Sequence, residues 1–255
     1  YINLAEIYVK QKRFSEALEN IDKILELDIN TPEAYIIKAK IYRENKLYDQ
    51  AIEFVKQAIT LSPDSNEYYE MVAELAEKYG QDGRLQIWNV WNEIGNSNRG
   101  TMSVRAMETF FAILREKQVM QPLTADVWSY DESMEINTEA GRRALELSDI
   151  VSFHWYGSFA DTVQLIANLR RSGRPLLCTE WLNRYEGNDV EHLLPLFWLE
   201  GIGSFHWGLM QGYSQTFEPW GGYFLRQEKG EDLDLTKWQH DLCLLYTSPS
   251  PRDQR

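Results

Sequence analysis

The sequence predicts a two-part chain: an all-α helical repeat segment, then an α/β segment of parallel βαβ units. Three observations predict it. A 34-residue period runs through residues 1–80. Short apolar runs alternate with helix-patterned stretches from residue 84 to 242. Composition changes abruptly between the two: all nine Trp lie between Trp88 and Trp238, and fourteen of the fifteen Gly lie beyond Gly80. The predicted boundary falls at residues 80–84.

The chain has 255 residues, of which 44% are hydrophobic and 25% charged, so it can build a core and is not a disordered tail. No apolar run approaches the ~18 residues of a membrane helix. A net charge of −13 disfavours nucleic acid and anionic membranes as partners. Two cysteines, Cys178 and Cys243, are too few for a disulfide scaffold. Four His without Cys clusters give no zinc signature, and no cofactor motif is present. No signal peptide is visible. The chain starts at Tyr1 rather than Met, so the expectation is a truncated N-terminus, and localisation stays open.

The repeat is read from its spacing. Tyr1, Tyr35 and Tyr69 are in step, as are Ala5, Ala39 and Ala73. Tyr8 pairs with Tyr42, Ala17 with Ala51, Leu27 with Leu61. Small residues let paired helices approach, aromatics fill the space beside them, and Pro63 ends the second pair. The pattern resembles the tetratricopeptide repeat. A third copy begins and stops halfway, with Gly80 at its turn and Leu85 where a small residue belongs. The resemblance implies a surface for a protein or peptide partner.

Beyond residue 84 the elements run in order. LQIWNVW (85–91) reads as a buried strand, and 103–116 as a helix. PLTADVW (122–128) is the second strand, 140–147 a helix, IVSFHWYG (150–157) the third strand and 161–171 a helix. PLLCTEW (175–181) is the fourth strand and 190–199 a helix. GSFHWGLMQ (203–211) is the fifth strand, and 234–242 a terminal helix.

Polar and aromatic residues collect where these strands finish: Asn92 and Glu93, then Trp128, His154 and Tyr156, Glu180, and Trp207. In a (β/α) barrel those ends form the active face. Two carboxylates on different strand ends suit glycoside hydrolysis, one as proton donor and one as nucleophile. Here the chain resembles the clan A glycoside hydrolases, retaining β-glycosidases on (β/α)8 TIM barrels. WNVWNEIGN matches the Asn-Glu pair that ends strand four, FHWYG the His-x-Tyr of strand six, PLLCTEW the strand-seven Glu, and FHWGLMQ the strand-eight Trp. Ile94 stands where many members have Pro.

The resemblance implies Glu93 as acid/base and Glu180 as nucleophile. It implies substrate contacts for Asn92, His154, Tyr156 and Trp207, with Trp128 either in the site or in plain packing. The substrate class is a β-linked carbohydrate, with no metal or cofactor. The implied fold is a partial (β/α)8 barrel of about five βα units behind the helical repeats. Domains are expected at 1–80, 81–242 and 243–255. His206, beside Trp207, points away by strand alternation. Tyr213, Glu218 and Trp220 either line the sugar cleft or form a packed surface loop, the loop being the favoured reading, and Cys178 is read as inert core.

Strands one to three of a barrel have no counterpart, so the chain is expected to be incomplete or chimeric, joined near 80–84. CLLYTSPSPRD (243–253) resembles a translated sequencing adapter, which makes the tail non-native in expectation. The competing functions are a repeat scaffold carrying an inert barrel fragment, and a sugar-binding module that has lost catalysis.

Overall fold

The computed structural model describes residues 1–62, 66–96, 100–208, 219–235 and 239–240. Pro63, Tyr213, Glu218 and the 243–255 tail lie outside them. No described helix is long and apolar enough to cross a membrane. The chain divides into two compact units, one of residues 1–90 and 95–123, the other of residues 91–94 and 124–255.

The first unit opens with α1 (Ile2–Lys10), α2 (Phe14–Leu27), α3 (Pro32–Glu44) and α4 (Tyr48–Leu61). The in-step alanines are its contact points: Ala5, Ala17, Ala39, Ala51 and Ala58 are fully buried. Ile21, Ile24, Ile37 and Ile41 fill the space between the first three helices. Tyr42 packs on Phe54 with ring centroids 5.1 Å apart. Lys12 and Lys46, one period apart, both take the left-handed conformation at the helix turns, with φ of 57° and 63°.

The third copy departs from this pattern. Its helix α5 (Asn66–Tyr79) leaves Ala73 half-buried and buries Met71, Val72, Leu75 and Ala76 instead. At the next turn, Gly80 is not left-handed. It is needed for a different reason: a Cβ there would lie 2.5 Å from the Ala76 carbonyl oxygen and 2.7 Å from Val119 Cγ1. The partner of α5 is α6 (Gly100–Glu116). Tyr69 meets Phe110 edge-on at 6.0 Å, and Lys117 pairs with Glu77. Met120 N–H donates to the Gly80 carbonyl at 2.8 Å, and Gln121 Nε2 to that of Asp82 at 2.9 Å. The composition break at 80–84 is therefore bridged by ordinary backbone and side-chain bonds.

Five strands are described: β1 (Trp88–Trp91), β2 (Leu123–Ala125), β3 (Val151–His154), β4 (Leu176–Glu180) and β5 (Gly203–Ser204). β1 pairs with β2, and β3, β4 and β5 form a parallel sheet. Just past β2, Val127 bridges to Phe153 in parallel, so neighbours keep chain order. That order is the one a (β/α) barrel uses, but these strands do not close into one. The strands are shorter than the apolar runs predict: β1 starts at Trp88, and β2, β3 and β4 end at or just before their polar strand-end residues.

The intervening helices α7 (Glu139–Leu147), α8 (Phe159–Arg170) and α9 (Val190–Leu199) start at Thr138, Ser158 and Asp189, whose side chains accept backbone N–H bonds. The expected helix at 234–242 is corrected in its described part: residues 234, 235, 239 and 240 are not helical. Gln239 and His240 are buried instead, where the Gln239 carbonyl accepts from Arg184 N–H at 3.0 Å. A helix that the sequence pattern does not predict, α10 (Gly221–Glu228), begins after Trp220, where the Gly pair suggests a loop.

Gly80→Ala should lower stability by ~1–3 kcal/mol, because backbone cannot yield to the added Cβ. Lys46→Gly, which relieves a left-handed residue, should be neutral or stabilising. Thermal melts of both variants check this; a Gly80→Ala chain as stable as the parent would contradict the close approach.

Candidate active site

All seven residues predicted from the strand ends line one cleft of about 520 Å³, within the second unit: Asn92, Glu93, Trp128, His154, Tyr156, Glu180 and Trp207. Trp155, Gly157 and Trp220 line it as well. Each side chain arrives by a local device.

Glu93 stands two residues past β1 with φ of 48°, a left-handed conformation that costs a residue with a Cβ about 1–2 kcal/mol. The turn brings its carboxylate over the strand ends. His154 ends β3, where a register shift between Phe153 and His154 sets it opposite Glu180. Beyond it the backbone stays tied to β4, since Trp155 N–H donates to the Glu180 carbonyl at 3.0 Å. Asn188 clamps the next turn, donating to the carbonyls of Trp155 at 3.1 Å and Gly157 at 2.9 Å. Asn183 donates to the Tyr156 carbonyl at 3.1 Å and the Tyr223 hydroxyl at 2.6 Å. These two buried asparagines fix the segment that carries Tyr156.

Charge is concentrated around His154, which is almost fully buried. Its Nδ1 lies 2.9 Å from Glu93 Oε1 and 3.4 Å from Glu180 Oε2, and its Nε2 lies 3.5 Å from Asp126 Oδ2. Burial alone would strip its proton; hydrogen bonds to Asp126 and Glu93 outweigh that and lift its pKa to about 9. His154 is therefore an imidazolium at neutral pH. Glu180 is pushed above the ordinary carboxylate value by burial, partly offset by the His154 charge and by the Tyr156 hydroxyl, which donates to Oε2 at 2.7 Å.

One donor atom from each of Glu93, His154 and Glu180 lies within 4.8 Å of the others, close enough for a small cation. Both ring nitrogens of His154 already face carboxylate oxygens, so the ring bridges acidic groups from three strand ends.

The walls are aromatic. Trp128 donates its indole N–H to the Ile94 carbonyl at 2.9 Å, which fixes the ring in the cleft wall. Trp207 and Trp220 are each a little under half exposed. Trp220 stands edge-on to Tyr156 at 5.2 Å, so it belongs to the cleft and not to a packed surface loop. His206 packs against Trp181. Cys178 is fully buried, and burial pushes its thiol far up, as an inert core residue requires.

Sequence reasoning misses Trp155 and Asp126, and favours a packed loop for Trp220. Strand alternation aims Trp155 away from His154 and Tyr156, but the chain leaves the strand at His154, so alternation no longer applies. Asp126 has a legible signal: it is the one charged residue inside the apolar run PLTADVW.

The helical repeats and the cleft have different counterparts among known proteins. The tetratricopeptide repeat family matches residues 1–30 and 32–65. The second match ends where α5 begins, so the third copy is not part of it. No curated protein matches the chain. Among solved structures the chain is similar to an endoglucanase, at 12% identity and a TM-score of 0.43, over 67% of this chain and 70% of that one.

Proposed function

We propose that the cleft is the active site of a retaining glycoside hydrolase that acts on a β-linked carbohydrate. One observation carries the reading. Glu93 and Glu180, from the ends of different strands, place carboxylate oxygens within 4.8 Å of each other in an aromatic-walled cleft. Retaining pairs sit about 5–5.5 Å apart, and inverting pairs about 6.5–9.5 Å apart to admit a water.

Glu180 is the nucleophile. The Tyr156 hydroxyl holds Oε2 and leaves Oε1 to attack the sugar. Glu93 protonates the leaving oxygen as the C–O bond breaks and the ester to Glu180 forms. It then takes a proton from the water that hydrolyses that ester. Asn92, exposed at the cleft edge, offers an amide to a sugar hydroxyl. Trp128, Trp207 and Trp220 offer flat apolar faces to sugar rings. The chemistry needs no cofactor. The α/β part carries this site, and the helical repeats of residues 1–65 offer a surface for a protein or peptide partner.

Assays of the full chain on aryl β-glycosides test the roles. Glu180→Ala should abolish turnover, with partial rescue by azide or formate entering the vacated space. Glu93→Ala should slow poor leaving groups by ~10²–10⁴-fold and activated aryl groups far less. Equal losses on every substrate would contradict the assignment.

The pH profile supplies a separate check. Glu180 must be ionised to attack, and burial raises its pKa above 4.5. The acid limb of kcat/KM should therefore fall at a pH above that value. A limb at or below it would contradict a desolvated nucleophile.

A further inference from the structure

The two-glutamate reaction does not use Asp126, yet three parts of the fold converge on that side chain. It lies just past β2 and is fully buried. Thr179 of β4 donates its hydroxyl to Oδ1 at 2.6 Å. Ser152 of β3 also hydrogen-bonds the carboxylate, and its hydroxyl lies 2.7 Å from that of Thr124 in β2. Oδ2 faces His154 Nε2 at 3.5 Å. A carboxylate stripped of water costs several kcal/mol unless it is paired and hydrogen-bonded. Here the pairing runs through His154 toward the cleft.

We propose that Asp126 is a positioning residue: it holds the Nε2 proton side of His154, fixes the ring plane, and keeps Nδ1–H aimed between Glu93 and Glu180. The inference rests on the glycosidase reading of that pair. In the first step the sugar C–O bond breaks and the ester to Glu180 forms. Glu93 gives its proton to the leaving oxygen, so negative charge passes from Glu180 to Glu93. In the second step water attacks, Glu93 takes its proton, and the charge returns to Glu180. One donor at 2.9 Å from Glu93 and 3.4 Å from Glu180 can serve whichever carboxylate is ionised. Without Asp126 the ring is free to turn and to give up its charge.

His154 is faced by three carboxylates: Asp126 past β2, Glu93 past β1 and Glu180 on β4, while Cys178 and Tyr156 border those carboxylates. Tyr130 is half-buried nearby and senses both Asp126 and Glu93. Of these, Asp126 is the charge that stands apart from the proposed chemistry, so its removal isolates the effect.

The test is nitrogen NMR of the full chain with labelled histidine, tracked from about pH 5 to about pH 10. In the parent, His154 should stay doubly protonated to a midpoint of about 9. In Asp126→Asn the midpoint should fall by at least about one unit. Thr179→Val keeps the shape but removes a donor from the carboxylate, whose charge then falls more fully on His154, so the midpoint should rise by a smaller amount. The kcat of Asp126→Asn should drop on the order of tenfold with KM little changed, and Asp126→Glu should restore part of it.

An unchanged His154 midpoint in folded Asp126→Asn overturns the proposal. If that variant does not fold, an unchanged midpoint in Thr179→Val overturns it. A chain with the expected shift but no glycoside hydrolysis overturns the glycosidase reading and leaves the Asp126–His154 linkage standing. An active chain without the shift overturns the role of Asp126 alone.

Discussion

A buried imidazolium must be answered by carboxylates, and the cleft of this protein is arranged around that demand. His154 lies out of water with acidic groups at both ring nitrogens. Burial works against its charge and the carboxylates restore it. The same bonds carry information in the other direction: His154 fixes where Glu93 and Glu180 stand, within one hydrogen-bond length of a common donor. Much of the local structure serves this contact. The left-handed turn at Glu93 brings one partner over the strands. The register shift in β3 sets His154 opposite the other. Asn183 and Asn188 clamp the segment whose Tyr156 holds Glu180 in place.

Part of the site is legible in the sequence because its carboxylates end apolar runs. A strand buried on both faces cannot tolerate charge, so the first polar residue after it marks where the chain re-enters a solvent-accessible cleft. Glu93 and Glu180 are found that way. Trp155 is hidden because period-two reasoning assumes that the strand continues, and it stops one residue earlier. Asp126 escapes because it sits inside a run, where a charge looks like an interruption and not a partner. Trp220 lies beyond a Gly-rich stretch that has no period to read. The terminal helix fails for a packing reason: buried Gln239 and His240 bond to the backbone of Leu182, Arg184 and Trp220 in place of helical carbonyls.

The helical half shows the opposite balance. Spacing identifies two repeats whose alanines are buried as the period demands. The third looks alike in sequence because Tyr69 and Ala73 keep step. Its surroundings differ, since the next element in the chain is a strand and not a second helix. With α6 as its partner in place of an adjoining repeat helix, α5 leaves Ala73 half-buried and turns Val72, Leu75 and Ala76 inward. Periodicity reports what a segment could pack against; the partner supplied by the chain decides what it does.

In the proposed reaction Glu180 attacks the sugar while Glu93, across the same donor, moves the proton. Mass spectrometry of the full chain after reaction with activated 2-deoxy-2-fluoro aryl β-glycosides tests it most directly, because the fluorine slows breakdown of a covalent ester. The expected result is a single sugar adduct, mapped by peptide digestion to Glu180, and hydrolysis of ordinary substrates with retained anomeric configuration. An adduct on Glu93 or elsewhere, or products of inverted configuration, would contradict it.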